Sequence, residues 1–163
     1  MNAMTRRLTE QFAAARTDAG LLQVALHVEQ VAALAYAAAA EGPLEGDERA
    51  QALRFADHER RHAAAFETML FALTVPVRER ASAQDLEALV PGLRHAGRRE
   101  ALQDLAALEG AAITGHLLMG GRLAALDALR TVASVMAGGA QHLVALRDAL
   151  GQTPLTQTFE TGH

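Results

Sequence analysis

Apolar residues recur at three- and four-residue spacing through four long stretches, each closed by glycine or proline, and that period predicts helices rather than strands. The first runs from Thr17 or Asp18 to Glu41 and stops at Gly42-Pro43, which cannot continue a helix. The second is expected from Asp47, as N-cap, to about Leu73. Residues 74–97 read as irregular, with a short helix capped by Ser82 and closed at Pro91-Gly92. The third runs from about Arg98 to Met119, and the fourth from about Asp127, again as N-cap, to Leu150, with Gly151 ending it.

Short turns join the first helix to the second and the third to the fourth, while the longer middle stretch can travel the length of a bundle. The expected fold is all-α: an antiparallel four-helix bundle of two helical hairpins joined by a long crossover. Residues 1–16 form an N-terminal extension with a short helix, residues 17–151 the bundle in two repeats of about 17–75 and 97–151, and residues 152–163 an extended tail.

Composition sharpens this. Alanine dominates while the chain holds five Phe, one Tyr and no Trp, so helix formers are abundant and strand formers scarce. Without cysteine there is neither a disulfide nor a thiolate metal site. The formal net charge is −4 and the basic residues are scattered arginines, which argues against nucleic acid as a partner. No window approaches 18 charge-free apolar residues, so the expectation is a cytoplasmic protein with no membrane partner. Its alanine-rich faces suit a homodimer.

Sliding the chain on itself by 80 residues brings the hairpins into register. Leu22 and Gln23 fall on Leu102 and Gln103, Glu29 on Glu109, Asp47 on Asp127, His62 on His142, and Leu70 on Leu150. Tyr36 falls on His116, each two turns beyond its glutamate. At about 11 Å along the helix that is too far to share a ligand shell with the same glutamate, so both read as neighbouring or core groups. Glu59 has no counterpart: it falls on Gly139, so Glu-Arg-Arg-His becomes Gly-Ala-Gln-His. Two adjacent glycines, Gly138 and Gly139, inside an apolar helix each cost about 1 kcal/mol relative to alanine.

The hairpin geometry brings the acidic residues together. Glu29 and Glu59 are equidistant from a turn near Leu44, so at roughly 1.5 Å per residue they return to one level. Glu109 and position 139 do the same if the second loop spans residues 120–126. A bundle that holds two metals takes a glutamate from each of two helices and Glu-x-x-His from each of the others. Glu29, Glu59 with His62, Glu109, and His142 supply five of those six groups. Carboxylates with imidazole suit iron or manganese and accept zinc.

On these residues the chain resembles the ferritin-like superfamily, and within it the bacterial ferritin-like domain proteins that include desiccation-related members. The likeness extends from about Leu21 to Phe159, including "HLVALRDALG" and the "TFET" tail. It implies a metal-binding protein with iron and oxygen chemistry or a role in stress protection. By the same resemblance Glu59 bridges two metals, with Glu29 and His62 on one and Glu109 and His142 on the other. Gly139 removes the second bridge, leaving three carboxylates against two divalent ions in a low-dielectric core.

A metal-free bundle that keeps the fold as a structural or interaction module is the competing reading. Chance supplies Glu-x-x-His pairs readily, and Glu160 with His163 is a second one. Glu29 and Glu109 could be buried ion pairs with Arg54 or Arg147, and His142 a satisfied core histidine. The glycine pair could mark a close helix contact or a pliable point. His58 stands one turn before His62, a spacing that can bind metal as His-x-x-x-His, but facing both it and its neighbour Glu59 inward is awkward. His27 and His95 add nothing to the pattern.

Overall fold

The computed structural model describes residues 3–153, which form helices and loops. The expected tail beyond residue 153, with the Glu160 and His163 pair, lies outside the described residues. Four long helices carry the fold: α2 (Asp18–Glu41), α3 (Gly46–Ala72), α5 (Arg98–Gly120) and α6 (Leu126–Ala149). They are joined by α1 (Ala3–Ala14), the short α4 (Ala83–Leu89) and a single 3-10 turn at Leu93–His95. Helix α2 packs along α3 and α5 along α6, and the hairpins meet α2 to α5 and α3 to α6.

Sequence signals explain most boundaries. The Thr17 hydroxyl accepts the Gly20 N–H at 3.1 Å to open α2. Ser82 and Asp85 form a reciprocal capping box on α4. Gly151 takes a left-handed φ of 69° directly after α6. Asp47 and Asp127 are not the N-caps expected. Those positions belong to Glu45 and Ala125, neither with a side-chain cap, and the two aspartates lie in the first helical turn. There their charge still complements the positive end of the helix dipole, so they mark a helix start without forming the cap.

The crossover is tied to α2 by amides. Gln23 donates to the Pro76 carbonyl at 2.7 Å and accepts the Arg78 N–H at 3.2 Å, while Gln30 accepts the Ala81 N–H at 3.0 Å. At the other end, α1 lies on α5. Phe12 is fully buried, and Arg122 holds the end of α1 by donating to the Phe12 carbonyl at 2.7 Å.

Two apolar clusters fill the core. One gathers Tyr36, Phe55, Leu102, Leu105 and Leu146, the other Phe12, Leu22, Phe66, Leu70 and Val132. The residues Glu29, Glu59, Glu109 and His142 sit at the levels between them and are all buried. Helix α2 is long and apolar enough to cross a membrane by length and composition. Here it is the central helix, 72% of that apolar window is buried within the fold, and Glu29 stands in its middle.

Candidate metal centre

Each long helix delivers its polar residue at the level the repeat requires. Glu29 comes from α2, Glu59 and His62 from α3, Glu109 from α5 and His142 from α6. The i,i+3 spacing puts Glu59 and His62 on one face of α3, with Glu59 Oε2 2.9 Å from His62 Nδ1. Glu29 Oε2 lies 3.1 Å from the same nitrogen. Across the core, His142 Nδ1 is 2.8 Å from Glu59 Oε1 and 2.9 Å from Glu109 Oε1. Glu59 therefore spans two histidines, one per carboxylate oxygen. Two groups of donor atoms result, Glu29 with Glu59 and His62, and Glu59 with Glu109 and His142, each set within 4.8 Å of one another.

The five residues singled out in the sequence thus converge, and the outer groups are placed by the same pseudo-symmetry. Tyr36 and His116 are beyond reach of the glutamate on their own helix and serve the one opposite. The Tyr36 hydroxyl donates to Glu109 Oε1 at 2.5 Å, and His116 Nε2 lies 3.2 Å from Glu29 Oε1. Histidines and Tyr36, rather than Arg54 or Arg147, face the three buried carboxylates. Among the described residues, Glu59 Oε1 and His116 Nε2 make no well-oriented hydrogen bond despite these short separations. A buried carboxylate oxygen left without one is costly and suits a cation.

The electrostatics concentrate charge in the middle. Burial, then the Glu59 charge, raises Glu29 well above the usual carboxylate range and pushes Glu109 up to about 7. Burial opposes ionisation of Glu59 too, but the close polar approach of Glu29, His142 and His62 outweighs it and holds that carboxylate below its ordinary value. Burial disfavours the His142 cation, yet the hydrogen bond to Glu109 and the adjacent Glu59 carboxylate push its imidazole up to about 9. Burial lowers His116 to about 4. The hydroxyl of Tyr36 is raised by burial and the Glu109 charge.

The two glycines now have a steric reason. A Cβ on Gly139 would lie 3.0 Å from Glu109 Oε2, and one on Gly138 would lie 3.0 Å from His62 Cε1 and Nε2. Both keep α6 bare where the centre presses against it. A cavity with room for about one water, 10 Å³, remains beside Gly139, Ile113 and Met136.

One neighbour of the site has a position that spacing alone did not reveal. The exposed His58 reaches from α3 to α6, where its Nδ1 lies 3.0 Å from His142 Nε2. Phe55, one turn earlier, stacks on the His142 ring with centroids 4.0 Å apart. The available signal was the offset of 80, which pairs His58 with Gly138 immediately beside the Glu59 and Gly139 mismatch.

The crystal structure of the Lactococcus lactis MG1363 DpsB protein is similar with a TM-score of 0.74, covering 89% of this chain and 89% of that one at 11% identity, a likeness of fold alone. No curated protein matches the sequence. The family described as "Ferritin-like domain" matches residues 17–152, most of the chain and all four long helices. With the bundle and the family match in agreement, the chain belongs to the ferritin-like domain family.

Proposed function

We propose that the protein is a metal-binding member of this family, with a dinuclear carboxylate centre bridged by a single glutamate and a role in iron and oxygen chemistry or stress protection. Glu29 and His62 would hold one metal and Glu109 and His142 the other, with Glu59 offering one oxygen to each side. The observation that carries this reading is that the two oxygens of Glu59 face different histidines, at 2.9 and 2.8 Å. The donor set fits hard to borderline divalent ions, iron or manganese before zinc.

The protein's own contribution is positional. Tyr36 fixes an oxygen of Glu109 by donating to it, and His116 packs against Glu29 from the opposite side. The apolar clusters on either side keep water away, which strengthens every charge interaction within the layer. Bound iron would supply one-electron chemistry with dioxygen. With three carboxylates rather than four, a bound pair of divalent ions would keep excess positive charge, and the water-sized cavity beside Gly139 offers a small neutral or anionic ligand a place.

On this reading the protein acts in the cytoplasm as a homodimer, pairing through its alanine-rich helix faces. The deciding experiment is metal analysis of protein from iron-supplemented cells, followed by anaerobic Fe(II) titration. Two metals per chain are expected. No tight binding of iron, manganese or zinc would favour the metal-free module.

A further inference from the structure

Under the offset of 80, two adjacent positions at the level of the centre differ in the chemistry they bring to it, His58 and Glu59 in one half against Gly138 and Gly139 in the other. The missing glutamate removes a carboxylate. The other difference changes what stands behind each histidine. At His142, Nδ1 faces Glu59 and Glu109, Nε2 faces His58 Nδ1 at 3.0 Å, and Phe55 covers the ring at an interplanar angle of 26°. At His62, Nδ1 faces Glu29 and Glu59, but its Nε2 side abuts Gly138, where even a Cβ would come to 3.0 Å. One imidazole is therefore gripped on three sides and the other has bare helix behind it.

An imidazole that offers its Nδ1 lone pair to a metal carries its remaining proton on Nε2, and the acceptor of that N–H sets both the tautomer and the ring orientation. His58 has a ring nitrogen at that place. We propose that His58 is a positioning residue for the Glu59, Glu109 and His142 half of the centre, accepting the Nε2–H of His142 so that Nδ1 points between the two carboxylates. This rests on the dinuclear reading above and adds that the halves are unequal in their support. His58 neither touches the carboxylates nor needs to bind metal. Its own Nε2–H is left to solvent, consistent with its exposed place on α3.

The test is anaerobic Mn(II) titration of the full chain as wild type, His58→Phe and His58→Gln, alongside 15N NMR of the zinc-loaded wild type. Phenylalanine keeps a flat ring but has no acceptor, whereas the glutamine oxygen can accept the same N–H. His58→Phe is expected to weaken one of the two metal sites about 10- to 100-fold and leave the other unchanged, with His58→Gln retaining most of the affinity. All three should melt cooperatively without metal, so that weakening confined to one site is not a loss of the fold. The NMR spectrum should show His142 as the Nε2–H tautomer with a coupling across the hydrogen bond to His58 Nδ1, a readout independent of how the variants fold. Equal weakening of both sites, no weakening in His58→Phe, or an Nδ1–H tautomer overturns the role of His58 while leaving the dinuclear reading intact. A wild type that binds neither metal overturns both.

Discussion

Replacing Gly139 with glutamate puts two physical accounts of α6 in direct opposition. If position 139 were only a weak point in a helix, Gly139→Glu would gain up to about 1 kcal/mol of helix propensity. That would raise the melting temperature by roughly 2–4 °C in a chain of this size. The structure says otherwise for the metal-free protein. The new Cβ would sit 3.0 Å from Glu109 Oε2, and the carboxylate beyond it would enter the layer where Glu59 already holds its charge. A second charge roughly 5 Å away at an effective dielectric of about 20 costs about 3 kcal/mol, which exceeds the propensity gain by about 2 kcal/mol. The metal-free variant should therefore melt roughly 4–8 °C lower. With two divalent metals bound the same charge becomes favourable, because four carboxylates balance them. After desolvation the second metal should bind about 10- to 100-fold more tightly. Circular dichroism melts of metal-free protein and anaerobic Fe(II) titrations of both forms give the two numbers. A variant that melts higher without metal and binds metal no better would refute the placement of residue 139 at the centre.

Glu59→Gln keeps the shape of the bridge but removes its charge, so both metals should weaken by at least ~100-fold, compared with one for Glu109→Gln, as read by stoichiometry in the same titration. Metal-free stability should fall with rising pH. Glu109, raised from 4.5 to about 7, stabilises fully below 4.5 and loses that contribution through 7, and His142, raised from 6.5 to about 9, loses its own between 6.5 and 9. The limit is about 1.4 kcal/mol per pH unit for each proton, so melts at pH 6 and pH 9 should differ clearly, whereas a flat or rising profile would contradict these shifts. Phe12→Ala, at a fully buried ring, should cost about 3–5 kcal/mol in urea denaturation if α1 belongs to the core. Gly115→Ala, whose Cβ would meet the Phe12 ring at 2.3 Å, should cost about 1–3 kcal/mol from crowding, less when combined with Phe12→Leu.

The helices were legible because their period and punctuation agree. Thr17, Ser82 and Gly151 each have a specific backbone role that their residue type announces. Asp47 and Asp127 each lie two residues past the true N-cap, because an acidic side chain favours the whole first turn as well as the cap. The convergence of Glu29, Glu59, His62, Glu109 and His142 followed from the repeat, since residues at equal distances from a turn must return to one level. What could not be read was anything that depends on two helices from different hairpins touching. Tyr36 and His116 reach the glutamate of the other repeat, and His58 reaches His142 across 84 positions of sequence. No spacing rule within one helix encodes those distances. The notch at Gly115 that receives Phe12 belongs to the same class.

That notch has a practical consequence for the far side of the centre. The Phe12 ring meets His116 edge-on at 5.9 Å, and His116 in turn lies against Glu29, so the N-terminal helix forms a dry wall behind one half of the polar layer. Shortening the chain past Phe12 would open the Gly115 notch and admit water to His116 and Glu29. The wet imidazole would then charge nearer its ordinary pH, and the burial that chiefly holds Glu29 above the usual carboxylate range, with the Glu59 charge behind it, would be relieved. The beginning of the chain thus sets the dielectric environment of a residue on another helix.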